Sequence, residues 1–126
     1  MPISLIIMAA MAAAQPPQIP AAVQVTLQSG AYVMRSADSK PLYTFDRDSA
    51  GTSNCVDRCA TAWPPLAAPA GAAPVGEWTI VSRADGSSQW AFQGKPVYSF
   101  VRDAAGVASG DGMGGVWHLL PTVPAR

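Results

Sequence analysis

One histidine, one glutamate and two cysteines are all that these 126 residues hold of three residue types on which much protein chemistry depends. With His118 the sole imidazole, a blue-copper centre in its usual form is excluded, because it needs two. With Glu77 the sole glutamate and no serine in a nucleophile-elbow setting, no Ser–His–acid triad can be assembled. Charge is equally sparse: eight acidic residues balance eight basic ones, and the lysines and arginines are scattered singly. That pattern lacks the basic stripe of a nucleic-acid binder and the cationic amphipathic helix of a membrane-surface protein. The Gly-rich stretch 106–115 has no Lys-Ser/Thr and no strand–loop–helix setting, so it is not a phosphate loop.

Present instead is an apolar run over residues 3–14, broken only by Ser4 and ending in three alanines. It fits the core and small-residue cleavage site of a secretory signal, with cutting expected after Ala14. At about 1.5 Å per residue it is too short to cross a bilayer core of about 30 Å. No cysteine follows it, so no lipid anchor is evident. The location expected is therefore periplasmic or secreted. Residues 15–22, rich in proline, read as a flexible leader, and residues 23–126 as a single domain.

Within that domain a phrase is written twice. KPLYTFDRDSAG fills residues 40–51 and KPVYSFVRDAAG fills residues 95–106, 55 positions later, with eight of twelve residues identical. Each copy leads to a Trp-led segment, Trp63-Pro64-Pro65-Leu66 or Trp117-His118-Leu119-Leu120. Apolar alternation predicts strands over 23–28, 31–35, 42–45, 78–83, 89–93, 96–100 and 116–120. Asp85-Gly86 predicts a hairpin turn. One short helix is expected over 54–62, capped by Ser53 or Asn54 and stopped by Pro64-Pro65. Residues 67–76, built of Ala, Pro and Gly, read as a linker. The fold class expected is mainly β: a small sandwich or barrel of two related repeats, about 30–66 and 86–121, around a pseudo-twofold axis.

These residues resemble the bacterial "secreted repeat of unknown function" lipoprotein family. The resemblance rests on Tyr43-x-Phe45-x-x-Asp48 and Tyr98-x-Phe100-x-x-Asp103, on Cys55-x-x-x-Cys59 with Trp63-Pro64-Pro65-Leu66, and on the Trp90 strand before Gly94-Lys95-Pro96. Gly115-Val116-Trp117-His118 completes it. It implies a cell-envelope or secreted location and no established reaction.

The motif supports two readings. In one, the rings at i and i+2 share a face and are buried, while Asp48 and Asp103 accept turn N–H groups or pair with Arg47 and Arg102. In the other, Tyr43, Phe45, Asp48, Tyr98, Phe100 and Asp103 line one binding groove, which requires exposed tyrosines. Paired as carboxylates, Asp48 and Asp103 would be the requirement of a hydrolase. Cys55 and Cys59, alone in an exported chain, read as a disulfide, for which the helix must be irregular near one cysteine. Alternatively they serve thiol–disulfide exchange, or join Met113 and His118 as soft ligands for copper. The function expected is an exported, non-catalytic binding or interaction module of the cell envelope, without cofactor, whose partner is an envelope protein or small ligand. The alternative is a periplasmic copper-binding or thiol-redox accessory protein.

Overall fold

A computed structural model describes residues 15–125, so the expected signal segment, residues 1–14, lies outside the described residues. Valine and leucine alternating with glutamine and threonine build β1 (Val23–Gln28), which pairs antiparallel with β2 (Ala31–Ser36). Gln28 faces Ala31, so the loop is only Ser29-Gly30, and both residues take positive φ, 49° and 77°. That is the mirror-image turn whose twist suits a two-residue hairpin. A second hairpin follows from β4 (Trp78–Ser82) and β5 (Ser88–Phe92). In its turn the Asp85 carboxylate accepts the Ser87 N–H at 2.9 Å, and Gly86 supplies a φ of 85°.

Each hairpin leads through a short turn and a Lys-Pro pair into a motif segment: β3 (Tyr43–Phe45) in the first repeat, and in the second Tyr98, where the Lys-Pro pair is itself β6 (Lys95–Pro96). The only α-helix among the described residues is α1 (Arg58–Ala62). A 3-10 turn (Met113–Gly115), β7 (Trp117–Leu119) and β8 (Val123–Pro124) complete the chain. Among the described residues eight strands form three small sheets, ordered β1-β2-β8, β3-β7 and β4-β5-β6. The fold is mainly β, as expected, but the sheets do not close into one barrel or sandwich.

The repeats are laced together rather than set side by side. Tyr43 and Tyr98 exchange both backbone hydrogen bonds, at 2.8 and 2.9 Å, which puts a local pseudo-twofold axis between them. Bonds around this pair come in related couples. Asp46 N–H meets Val116 C=O at 2.8 Å, and Val101 N–H meets Ala62 C=O at 3.0 Å. Leu120 N–H meets Leu42 C=O, and Leu66 N–H meets Val97 C=O, both at 2.9 Å. The Trp-led segment of each repeat therefore pairs with the motif strand of the other.

Two apolar clusters result. The larger gathers Met34, Leu42, Trp78, Trp90, Phe92 and Val97 beneath the hairpins. The other gathers Tyr43, Cys55, Trp63, Tyr98, Phe100 and Trp117 on the axis.

The structure corrects several local expectations. The helix starts at Arg58, not residue 54, because Asp57 takes a φ of 54° and Cys55 stays outside. The strand expected over 96–100 shrinks to β6 and two isolated bridges at Tyr98, to Tyr43 and to Pro65, since Ser99 and Val101 give their N–H groups to Pro64 and Ala62. Residues 67–76 are no idle linker: Ala68 is buried, and Ala72 and Val75 pack on the larger cluster. Residues 15–22 are no free leader either, because Pro20 is buried and Ile19 and Ala22 pack on that cluster.

Candidate functional site

The motif side chains meet across the axis. The Tyr43 hydroxyl donates to Asp103 Oδ2, and the Tyr98 hydroxyl donates to Asp48 Oδ2 at 2.7 Å. Each tyrosine thus takes the aspartate of the other repeat. The second carboxylate oxygen holds the following loop in both halves: Asp48 Oδ1 accepts Asn54 N–H at 2.7 Å, and Asp103 Oδ1 accepts Ser109 N–H at 2.9 Å. Both aspartates accept backbone N–H groups, as one reading expected, but neither pairs with Arg47 or Arg102.

Burial governs the chemistry of these groups. Both tyrosines have no exposed surface. Burial pushes the Tyr98 hydroxyl up to about 12, with the Asp48 carboxylate adding to the rise. Burial and then Asp103 push Tyr43 well above the ordinary phenol range. Burial also raises Asp48, against the opposing pull of the Asn54 N–H and the Tyr98 hydroxyl. The groove expected from Tyr43, Phe45, Asp48, Tyr98, Phe100 and Asp103 therefore gives way to a core. Its physical reason is that strand pairing at the axis turns the two hydroxyls toward each other's repeat, away from solvent. Nor do Asp48 and Asp103 form a shared pair of carboxylates, since each is committed to a different tyrosine and loop.

The rings form a ladder. Phe100 stacks on Trp63 at 4.2 Å, Trp63 on Trp117 at 3.8 Å, and Trp117 on Phe45 at 4.2 Å between centroids. Tyr43 and Tyr98 meet Trp63 and Trp117 edge-on, both at 5.2 Å. Such pairs add about 0.5–1.5 kcal/mol each beyond area burial. Gly110 approaches so closely that a Cβ there would lie 2.5 Å from the Trp63 ring.

Beside the ladder lies the disulfide between Cys55 and Cys59, whose α-carbons are 5.1 Å apart. Arg83 ties this insert to the second hairpin. Its guanidinium reaches Cys55 C=O at 2.7 Å, Ser53 Oγ at 2.8 Å and Gln89 Oε1 at 2.7 Å. Gln89 is fully buried and donates to Val97 C=O at 2.8 Å. Neither Arg83 nor Gln89 stood out in the sequence. The only signal was a glutamine on the inward face of an apolar strand, where a buried amide demands partners.

Where α1 faces the turn after Phe100, a cleft of about 510 Å³ opens, lined by Arg58, Thr61, Ala62, Trp63, Phe100, Val101, Arg102 and Met113. The Cys-bearing insert supplies Arg58, and the Gly-rich insert supplies Met113. The twofold brings the inserts together around an apolar cleft, and among the described residues no acidic side chain lines it.

A family model described as a secreted repeat of unknown function matches the chain twice, over residues 30–67 and 79–120. The chain belongs to that family. No curated protein and no solved structure matches it.

For this secreted-repeat protein, the family description supports an exported location. Among the described residues no helix is long and apolar enough to cross a membrane. The sulfurs of Cys55 and Cys59 bond to each other, so no thiolate is left for copper or for attack on another disulfide. His118 is exposed and its Nε2 lies 2.7 Å from Asp46 Oδ2. Among the described residues no group of three or more His, Cys, Asp or Glu side chains is set to hold a metal. The copper set of Cys55, Cys59, Met113 and His118 thus loses its thiolates to the disulfide.

Proposed function

We propose that the protein is an exported, non-catalytic binding module of the cell envelope, periplasmic or secreted, that takes its partner at the cleft between α1 and the turn after Phe100. One observation carries this reading. The groups that could have done chemistry, two tyrosines and two aspartates, are spent on one another in the interior, whereas the cleft is apolar and open. Val101 and Met113 are left substantially exposed there, at 59% and 42%. Exposed apolar surface around a concave, aromatic-floored site is the usual signature of binding. Beneath it the ladder, the disulfide and the Arg83 clamp give the floor and one wall a fixed shape, so little ordering is required when a ligand enters.

A photo-cross-linking side chain at Val101, in the protein exported by its native cell, tests the reading. Adducts at position 101 but not at the exposed Leu27 of β1 support it. Equal capture at both positions, or none at 101, contradicts it.

A further inference from the structure

Given that reading of the cleft, we infer that its ligand is a small amphipathic anion: an apolar chain ending in a carboxylate. The floor is apolar and aromatic, made by Trp63 and Phe100 with Val101 and Met113 beside them. Arg58 and Arg102 line the same cleft, and neither has a salt bridge or side-chain hydrogen bond among the described residues. Two unneutralised guanidiniums above an apolar floor repel a cationic ligand and leave a neutral one without a polar anchor. A carboxylate matches the planar fork of donors that arginine presents. The volume of about 510 Å³ suits a small molecule.

The two repeats differ at this end of the ladder. Arg102 stands where Arg47 stands in the first copy, but Val101 stands where the first copy has Asp46. Asp46 sits beside Phe45, at the far end of the ladder, and there its carboxylate is engaged with His118. The second copy has an apolar side chain in place of that acid, and its partner segment has Pro64 in place of His118. The backbone bonds of Asp46 and Val101 are equivalent, so the strand pairing itself dictates neither difference. The two substitutions strip one end of the ladder of its anion and imidazole and leave it apolar beside free arginines.

The test uses the mature chain with its disulfide intact, titrated with decanoate, decanol and decylamine and followed by tryptophan fluorescence and calorimetry. Decanoate binds saturably, more tightly than decanol, and decylamine does not bind. Arg58→Gln with Arg102→Gln weakens decanoate about tenfold or more and leaves decanol unchanged. Arg47→Gln, at the related end, changes neither. Equal affinity for decanoate and decanol, an unaffected double variant, or no saturable decanoate binding overturns the anion assignment. The first two of these results leave the cleft as a binding site. Decanoate binding that survives Val101→Trp, which fills the cleft, instead places the site elsewhere and overturns both readings.

Discussion

Removing one hydroxyl from the interior should cost far more in the first repeat than in the second. Tyr43→Phe deletes the donor to Asp103 Oδ2 and also the acceptor of the Gly110 N–H, which lies 3.2 Å from the Tyr43 oxygen. Asp103 is only 6% exposed, so its orphaned oxygen has little water to turn to. A hydrogen bond to a charged group contributes about 1.5–3 kcal/mol, and a buried group left unpaired adds a further penalty. The expected loss is about 3 kcal/mol. Tyr98→Phe deletes the donor to Asp48, but Asp48 is half-buried, so solvent can replace it. Ser53, another neighbour of that hydroxyl, retains its bond from Arg83, and Gln89 retains its own from Arg83. The expected loss there is about 1 kcal/mol. Urea unfolding with the disulfide intact measures both, and thermal midpoints should fall by about 12 °C and about 4 °C. Losses below about 0.5 kcal/mol in both variants, or the reverse order, would refute this assignment of the hydroxyls.

Alkaline titration gives a second check, made in a Tyr32→Phe background so that only Tyr43 and Tyr98 absorb. Tyr98 ionises at about 12 in the folded chain against about 10 when unfolded. A raised folded value means its contribution is complete below pH about 10 and is lost as pH rises through about 12. Phenolate absorbance should therefore rise late and together with loss of the fold, and early titration at pH about 10 without unfolding would contradict the burial. Gly110→Ala should destabilise by about 1–3 kcal/mol, because the new methyl meets the Trp63 ring and the neighbouring Phe100. A neutral effect in thermal melts would show that the ladder can shift. Replacing both Cys55 and Cys59 by serine should cost about 2 kcal/mol, the modest figure expected for so short a loop. Loss of all folding would mean the bridge does more than close that loop.

The doubled phrase made the architecture legible, because a 55-residue offset with identical Tyr, Phe and Asp positions is a local pattern that survives in any reading of the chain. The hairpins were legible for the same reason, since alternation and turn chemistry are local. The partner of each tyrosine was not. Whether Tyr43 reaches Asp48 or Asp103 depends on the bridge between Tyr43 and Tyr98, a pairing of residues far apart in sequence. Once that bridge forms, the exposed groove becomes impossible and the hydroxyls must be satisfied inside.

Small residues misled the reading in the opposite direction. Ala68 and Ala72 carry no periodic signal, yet both belong to the packing of the cluster that holds Trp78 and Trp90. The cleft was hidden as well. Arg58, Val101 and Met113 lie in three different segments, and only the lacing of the repeats brings them to one place.

The exchange of partners between repeats is measured most directly by double-mutant cycles. Tyr43→Phe combined with Asp103→Ala should show a coupling of about 1.5–3 kcal/mol, whereas Tyr43→Phe with Asp48→Ala should be additive within about 0.5 kcal/mol. Strong coupling of Tyr43 to Asp48, its own repeat's aspartate, with none to Asp103 would contradict the laced fold and the cleft built on it.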